Sequence, residues 1–430
     1  MPHPRVALFT DTFDEVSGVG KTFQRLAAYC QRVGHPLDIF TVAAGPGSTE
    51  ARGAVRIHRI RPRLALEYYP GLFFDLLPLD DTALSYARDQ EFDVIHVATP
   101  GHMGITGLYL ANKHGLPVVG SYHTEFPRYV SSRVLAQCPL SVAEDEDALD
   151  YIEEVSTRLT WDFLASFYDC CQQVLVPSEA TRAQVAERLR APLALFERGV
   201  DTAQYSPAWR TRPAEAEPRV LYVGRLAIEK NLAWLTAAAR RHPEWQVVIV
   251  GDGPLRETMQ TELPQAQFTG FLAGEALSRA YADADVFACP SLTETFGNVV
   301  LEAQASGLPA VVGHQGGPQE IIAPGVTGLV ATNAAEFEAH LAALMADPRR
   351  RAAFGAAARE RAAQRDWDGV FERLLGHWRA ARYPWRRRQW VRGLRRLKSS
   401  DSPWAVGLVT FWKQFGRRRA DRLRRGRRLS

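Results

Sequence analysis

A chain of 430 residues, 46% hydrophobic and 23% charged, has room for two domain-sized cores and excludes a disordered or fibrous protein. Its five cysteines, at 30, 138, 170, 171 and 289, form no C-x-x-C pair and no metal-like cluster, so a reducing compartment is expected rather than a disulfide framework. The net charge of +4 conceals an asymmetry: residues 382–430 carry 17 Arg and Lys against Asp401 and Asp421, a local +15, which leaves −11 on the remainder.

In chain order, the first apolar run, 6–9, is too short and too soon followed by Asp11 for a signal peptide. No apolar stretch reaches the roughly 18 residues of a membrane-spanning helix. Short β-rich runs at 5–10, 37–42, 93–97, 117–121 and 173–176 alternate with helical spacing, such as Phe23, Leu26, Ala27 and Cys30. That alternation predicts a parallel sheet flanked by helices. Gly18-Val19-Gly20-Lys21-Thr22 resembles a triphosphate loop, but Glu15 stands where that motif needs its first glycine. The acidic start at 144–147 predicts a solvated helix beginning. The change of character at 198–213, where Arg198-Gly199-Val200-Asp201 gives way to Pro207, Pro213 and a charged stretch, predicts a hinge. A second series of runs, 220–223, 246–250, 267–269, 286–288 and 309–312, predicts a second doubly wound domain.

The chemistry concentrates in residues 290–303, which follow a predicted strand and open a helix. Such a position offers unpaired N–H groups and a partial positive charge to a phosphate. Glu294 in the loop can accept hydrogen bonds from sugar hydroxyls, and Glu302, further into the helix, can accept them from a diol such as ribose. Taken alone, the pair could equally be a capping acid and a surface residue. Arg225 and Lys230, after the strand at 220–223, could meet a diphosphate and stabilise it as a leaving group. Gly251 ends another strand, and Phe271 after Gly270 could line a base pocket. Three D-x-D matches, 145–147, 283–285 and 366–368, lie in helical segments or before a strand and read as solvated or capping acids.

These residues resemble a retaining family 4 glycosyltransferase of GT-B fold, an α/β architecture of two Rossmann-like doubly wound domains facing a cleft. The resemblance rests on Glu294 and Glu302 in E-x7-E, on Gly224, Arg225, Glu229, Lys230 and Asn231, and on Gly316-Gly317-Pro318-Gln319-Glu320. It extends to Asp11, Gly18, residues 97–101, 121–127, 176–178 and 198–201, and its motifs are nearest to GDP-mannose-dependent α-mannosyltransferases and glycolipid glycosyltransferases. It implies a diphosphate held by Arg225, Lys230 and Gly18, and sugar hydroxyls held by Glu294 with Phe296, Gly297 and Asn298. It further implies a ribose held by Glu302 and His123 beside the reacting centre together with Glu294, while Gly251 and Phe271 stand as further nucleotide-binding candidates from their strand-end positions. No metal or other cofactor is expected beyond the nucleotide sugar as co-substrate.

The domains expected are 1–200 on the acceptor side, 201–368 for the nucleotide sugar, a closing helix at 369–382 that packs back on the first, and a basic aromatic tail at 383–430. The tail interleaves Trp385, Trp390, Trp404, Phe411, Trp412 and Phe415 with arginines, which predicts contact with an anionic membrane surface rather than nucleic acid. The expected activity is transfer of a hexose, from GDP-mannose in the first instance, to a membrane glycolipid or diacylglycerol at the cytoplasmic face. A UDP-glucose or UDP-galactose glycolipid synthase and a carbohydrate-binding protein without turnover are the alternatives.

Overall fold

The computed structural model describes residues 3–15, 17–43, 45–61, 65–69, 72–75, 91–136, 138, 146–213 and 216–381. The basic tail at 383–430 and the acidic start at 144–145 lie outside them. The chain forms two compact units. One takes the residues up to Leu175, Val185–Ala194 and those from Gly376; the other takes Val176–Gln184 and Leu195–Leu375.

The first unit begins with β1 (Val6–Phe9), α1 (Gly18–Val33), β2 (Leu37–Val42), β3 (Ser48–Arg52) and β4 (Val55–Ile60). A small hairpin, β5 (Ala65–Tyr69) and β6 (Leu72–Asp75), precedes β7 (Val94–Val97), α2 (His102–His114) and β8 (Val118–Ser121). Then come α3 (Phe126–Ala136), α4 (Glu146–Tyr168), β9 (Gln173–Val176), α5 (Glu179–Ala186) and β10 (Leu193–Leu195). The main sheet runs β10-β9-β8-β7-β1-β2-β4-β3, and β3 is antiparallel to β4. Strands β1, β2, β7 and β8 are buried along their whole length, as expected of parallel strands covered on both faces. The triphosphate-like stretch becomes the opening of α1, where Ser17 Oγ accepts the Gly20 N–H at 3.0 Å.

A polar chain crosses the core of this unit. Trp378, fully buried, donates its indole N–H to His96 Nδ1 at 3.1 Å. His96 Nδ1 is therefore the acceptor and Nε2 carries the proton, which it donates to Ser121 Oγ at 2.5 Å. Tyr168 donates to the Ser121 carbonyl at 2.9 Å.

The second unit contains β11 (Arg219–Val223), α6 (Ala233–Arg241), β12 (Gln246–Val250), α7 (Arg256–Glu262), β13 (Gln267–Gly270), α8 (Gly274–Ala282) and β14 (Val286–Cys289). It continues through α9 (Asn298–Ala305), β15 (Ala310–Gly313), α10 (Pro318–Ile321), β16 (Gly328–Ala331), α11 (Ala334–Ala346), α12 (Pro348–Ala363) and α13 (Trp367–Ala381), the last passing into the first unit at Gly376. Its parallel sheet runs β13-β12-β11-β14-β15-β16. Alternate residues of each strand feed two cores: Leu221, Val248 and Phe287 pack with Tyr281 and Val300, whereas Val220, Val247 and Val286 pack with Leu235 and Leu341. The period of two thus places α8 and α9 on one face and α6 and α11 on the other.

Two of the three D-x-D matches have structural partners. Asp283 accepts the backbone N–H groups of Thr211 and Arg212, and Asp285 pairs with Arg210 at 3.1 Å and Arg212 at 3.4 Å. They fasten the segment before β11 to the sheet. Asp366 accepts the Gly369 N–H at 2.7 Å as a cap for α13.

Candidate active site

In a doubly wound sheet the crevice for a ligand opens at the carboxyl ends of the strands, where the order reverses. In the second unit that point lies between β11 and β14, which pair directly. The loop after β11 turns through a short 3-10 segment, Ile228–Lys230, and ends at Asn231, whose φ of 52° is left-handed. Asn231 Nδ2 donates to the Pro290 carbonyl at 3.1 Å, which fastens this loop to the one after β14. The result brings Lys230 Nζ within 2.6 Å of Glu294 Oε1. Burial disfavours the ammonium, but the Glu294 carboxylate outweighs it and holds Lys230 above its ordinary range. Arg225 stands in the same loop, 3.9 Å from Glu229. Lys230 and Glu294 therefore meet at the reversal point, with Arg225 and its partner Glu229 in the same loop.

The Glu294 loop is braced from behind. Ser178 Oγ and Thr181 Oγ1, both buried, donate to the Thr295 carbonyl at 2.7 and 3.1 Å. Gly317 N–H donates to the Glu294 carbonyl at 2.8 Å. Glu320, the acid of the Gly-Gly-Pro-Gln-Glu block, accepts the N–H groups of Glu179, at 2.9 Å, and of Ala180 at the start of α5. The motifs at 176–178 and 316–320 thus support the loop between them. The sequence displays these motifs without betraying their role, because the bonds from Ser178 and Thr181 to Thr295 and from Glu320 to α5 join residues more than a hundred positions apart.

The remaining second-unit candidates lie in the strand-end loops and on α9. Gly297 has φ 97° immediately before α9, and a Cβ there would stand 2.9 Å from Pro318 Cγ, so only glycine suits the turn into the helix. Asn298 opens α9, and its buried Oδ1 has no partner among the described residues. Phe296 is 6% exposed, its ring committed to the core, which leaves its backbone as the group that can meet a ligand. Glu302, one turn further, accepts from Tyr281 at 2.9 Å. Gly251, at φ 131°, bonds Gly270 through its N–H at 2.8 Å, and a Cβ there would collide with the Gly224 carbonyl. Its observed task is to let the strand-end loops touch. Phe271 is 61% exposed beyond β13, the edge strand, two strands from β11.

Gly18 and His123 belong to the first unit. Gly18 is the first residue of α1 and is exposed. His123 follows β8, is 9% exposed, and meets the Phe23 ring edge-on at 5.4 Å. At the reversal point of this sheet, between β1 and β7, buried Asp11 accepts from Thr99 Oγ1 and from the Met103 N–H at 3.0 Å. Burial raises the Asp11 carboxyl; burial, then the charge of Asp11, push Glu15 up to about 7.

Comparison with known proteins gives this arrangement a family. The family described as Glycosyltransferase Family 4 matches residues 16–204, and Glycosyl transferases group 1 matches residues 208–361. A GDP-mannose-dependent alpha-mannosyltransferase of Mycobacterium tuberculosis is 32% identical over 392 residues, 88% of this chain and 97% of that one. A sulfoquinovosyl transferase of Arabidopsis thaliana is 31% identical over 417 residues, 90% of this chain and 75% of that one. Among solved structures, sucrose-phosphate synthase from Thermosynechococcus elongatus shares the fold with a TM-score of 0.71 at 22% identity, covering 88% of this chain and 98% of that one. The chain belongs to the family 4 glycosyltransferases and has their GT-B fold. It is an enzyme that transfers a glycosyl group.

Proposed function

We propose that this enzyme moves a hexose from a nucleotide sugar, GDP-mannose first, to a membrane glycolipid or diacylglycerol with retention of anomeric configuration. The observation that carries the reading is the Lys230–Glu294 pair at the reversal point, with Arg225 in the same loop. On this reading the two cations neutralise the donor diphosphate without a metal, and Glu294 holds the sugar hydroxyls as the diphosphate displaces it from Lys230. The N–H groups at the start of α9 lie where a phosphate gains from the helix terminus. Glu302 holds the ribose. The acceptor attacks on the face the leaving phosphate occupies, and that phosphate takes the proton, so no protein nucleophile is required. The preference for GDP-mannose rests on the mycobacterial relative, similar over 88% of the chain.

Incubation with a panel of GDP- and UDP-sugars and a lipid extract tests this. GDP release from GDP-mannose, an α-linked product and unchanged turnover in EDTA are expected; release of neither GDP nor UDP from any donor overturns the proposal.

No helix among the described residues is long and apolar enough to cross a membrane. We place the enzyme at the cytoplasmic face through the arginines and tryptophans of 383–430, which suit an anionic headgroup zone. Deleting 383–430 is expected to cut binding to vesicles of anionic phospholipid at least tenfold; equal binding by the shortened chain refutes the placement.

A further inference from the structure

Glu302 has a partner that its motif does not include. Tyr281, next to last in α8, is fully buried, yet its hydroxyl lies 2.9 Å from Glu302 Oε2. A frame holds both. The Tyr281 ring meets Tyr205 edge-on at 5.6 Å and 90°. Arg359 then ties the Tyr205 carbonyl, at 2.7 Å, to the Ala305 carbonyl at the end of α9, and takes the Thr202 carbonyl at 2.9 Å. The helix that carries Glu302 and the ring beneath its partner are therefore gripped by one guanidinium. Burial, then the Glu302 charge, hold the Tyr281 phenol well above its usual range, so it remains a donor.

A carboxylate side chain rotates about its last bond, and a vicinal diol is best bound when that plane is fixed in advance. A buried phenol bonded to one oxygen fixes it. We propose that Tyr281 is a positioning residue that orients the Glu302 carboxylate to read the ribose diol of the donor nucleotide, an inference that rests on the assignment of Glu302 above. If Tyr281 were only a satisfied core phenol, its removal would act on every ligand alike.

Calorimetric titration with GDP, UDP and their 2′,3′-dideoxy counterparts separates these roles. Native protein is expected to bind the ribonucleotide about tenfold more tightly than the dideoxy form, a hydrogen-bonding difference of about 1.4 kcal/mol. Tyr281→Phe is expected to narrow that ratio to about twofold while leaving dideoxy affinity unchanged. Glu302→Gln should narrow it at least as far, and the double variant should be no weaker than Glu302→Gln alone. Equal weakening of both nucleotide forms by Tyr281→Phe, or an intact ratio, overturns the inference while the donor reading stands. Failure of native protein to bind either GDP or UDP overturns the donor reading itself, and this inference with it.

Discussion

Lys230→Ala is expected to lower kcat/KM for the nucleotide sugar by about 10²–10³, the size of effect seen when one preorganised donor to a developing anion is removed. In the folded chain Lys230 and Glu294 are each about three-quarters buried and 2.6 Å apart. On the proposed reading, removing the ammonium does two things: it strips the diphosphate of a cation, and it leaves the largely buried Glu294 carboxylate uncompensated where negative charge must accumulate. Because negative charge grows as the nucleoside diphosphate departs, kcat should fall as well as donor affinity. Lys230→Arg is not expected to restore full activity, since a planar fork cannot replace a point charge at this spacing. Turnover by Lys230→Ala within threefold of the native enzyme would place the diphosphate elsewhere.

Trp378→Ala is expected to destabilise the first unit by about 4 kcal/mol, within the range for truncating a large buried aromatic. Trp378 is fully buried and meets His35 at 5.6 Å and His96 at 5.7 Å, besides donating to His96. Trp378→Phe keeps most of the ring volume and removes the donor, so it should cost less, about 1–3 kcal/mol. The same chain makes stability sensitive to acid. Burial, and the neighbouring His377, hold His96 at about 3 against an ordinary 6.5. Its folded pKa is depressed, so its contribution is complete above pH 6.5 and is lost below it, by up to about 1.4 kcal/mol per pH unit down to about pH 3. Denaturant titrations at pH 7 and pH 5 should therefore show a steeper loss for the native chain than for His96→Asn; parallel losses would show that His96 does not titrate in this way.

The legible part of the fold consists of strands buried on both faces. The runs at 37–42, 173–176 and 246–250 coincide with β2, β9 and β12, because short β-rich, largely apolar runs carry their own signal. Strand β3 escapes because Ser-Thr-Glu-Ala-Arg is almost wholly exposed and owes its pairing to β4. Strand β16, at the sheet edge, is four residues beginning with glycine. In the candidate site, the strand-end position of Lys230 and Glu294 was readable, and their pairing across 64 residues follows from the reversal of strand order. The braces were not readable. Ser178 to Thr295 and Tyr281 to Glu302 are bonds between distant segments, and neither residue pair has a local period or spacing to betray it.

The segment Val176–Gln184 belongs to the second unit although it precedes ten residues of the first. It brings Ser178 and Thr181 to the Thr295 carbonyl. A chimaera that joins two relatives at a single point near residue 201 would graft the Glu294 loop onto hydroxyls inherited from the other parent. Recombination within this family therefore has to carry 176–184 along with the C-terminal half, or keep a matching serine and threonine there.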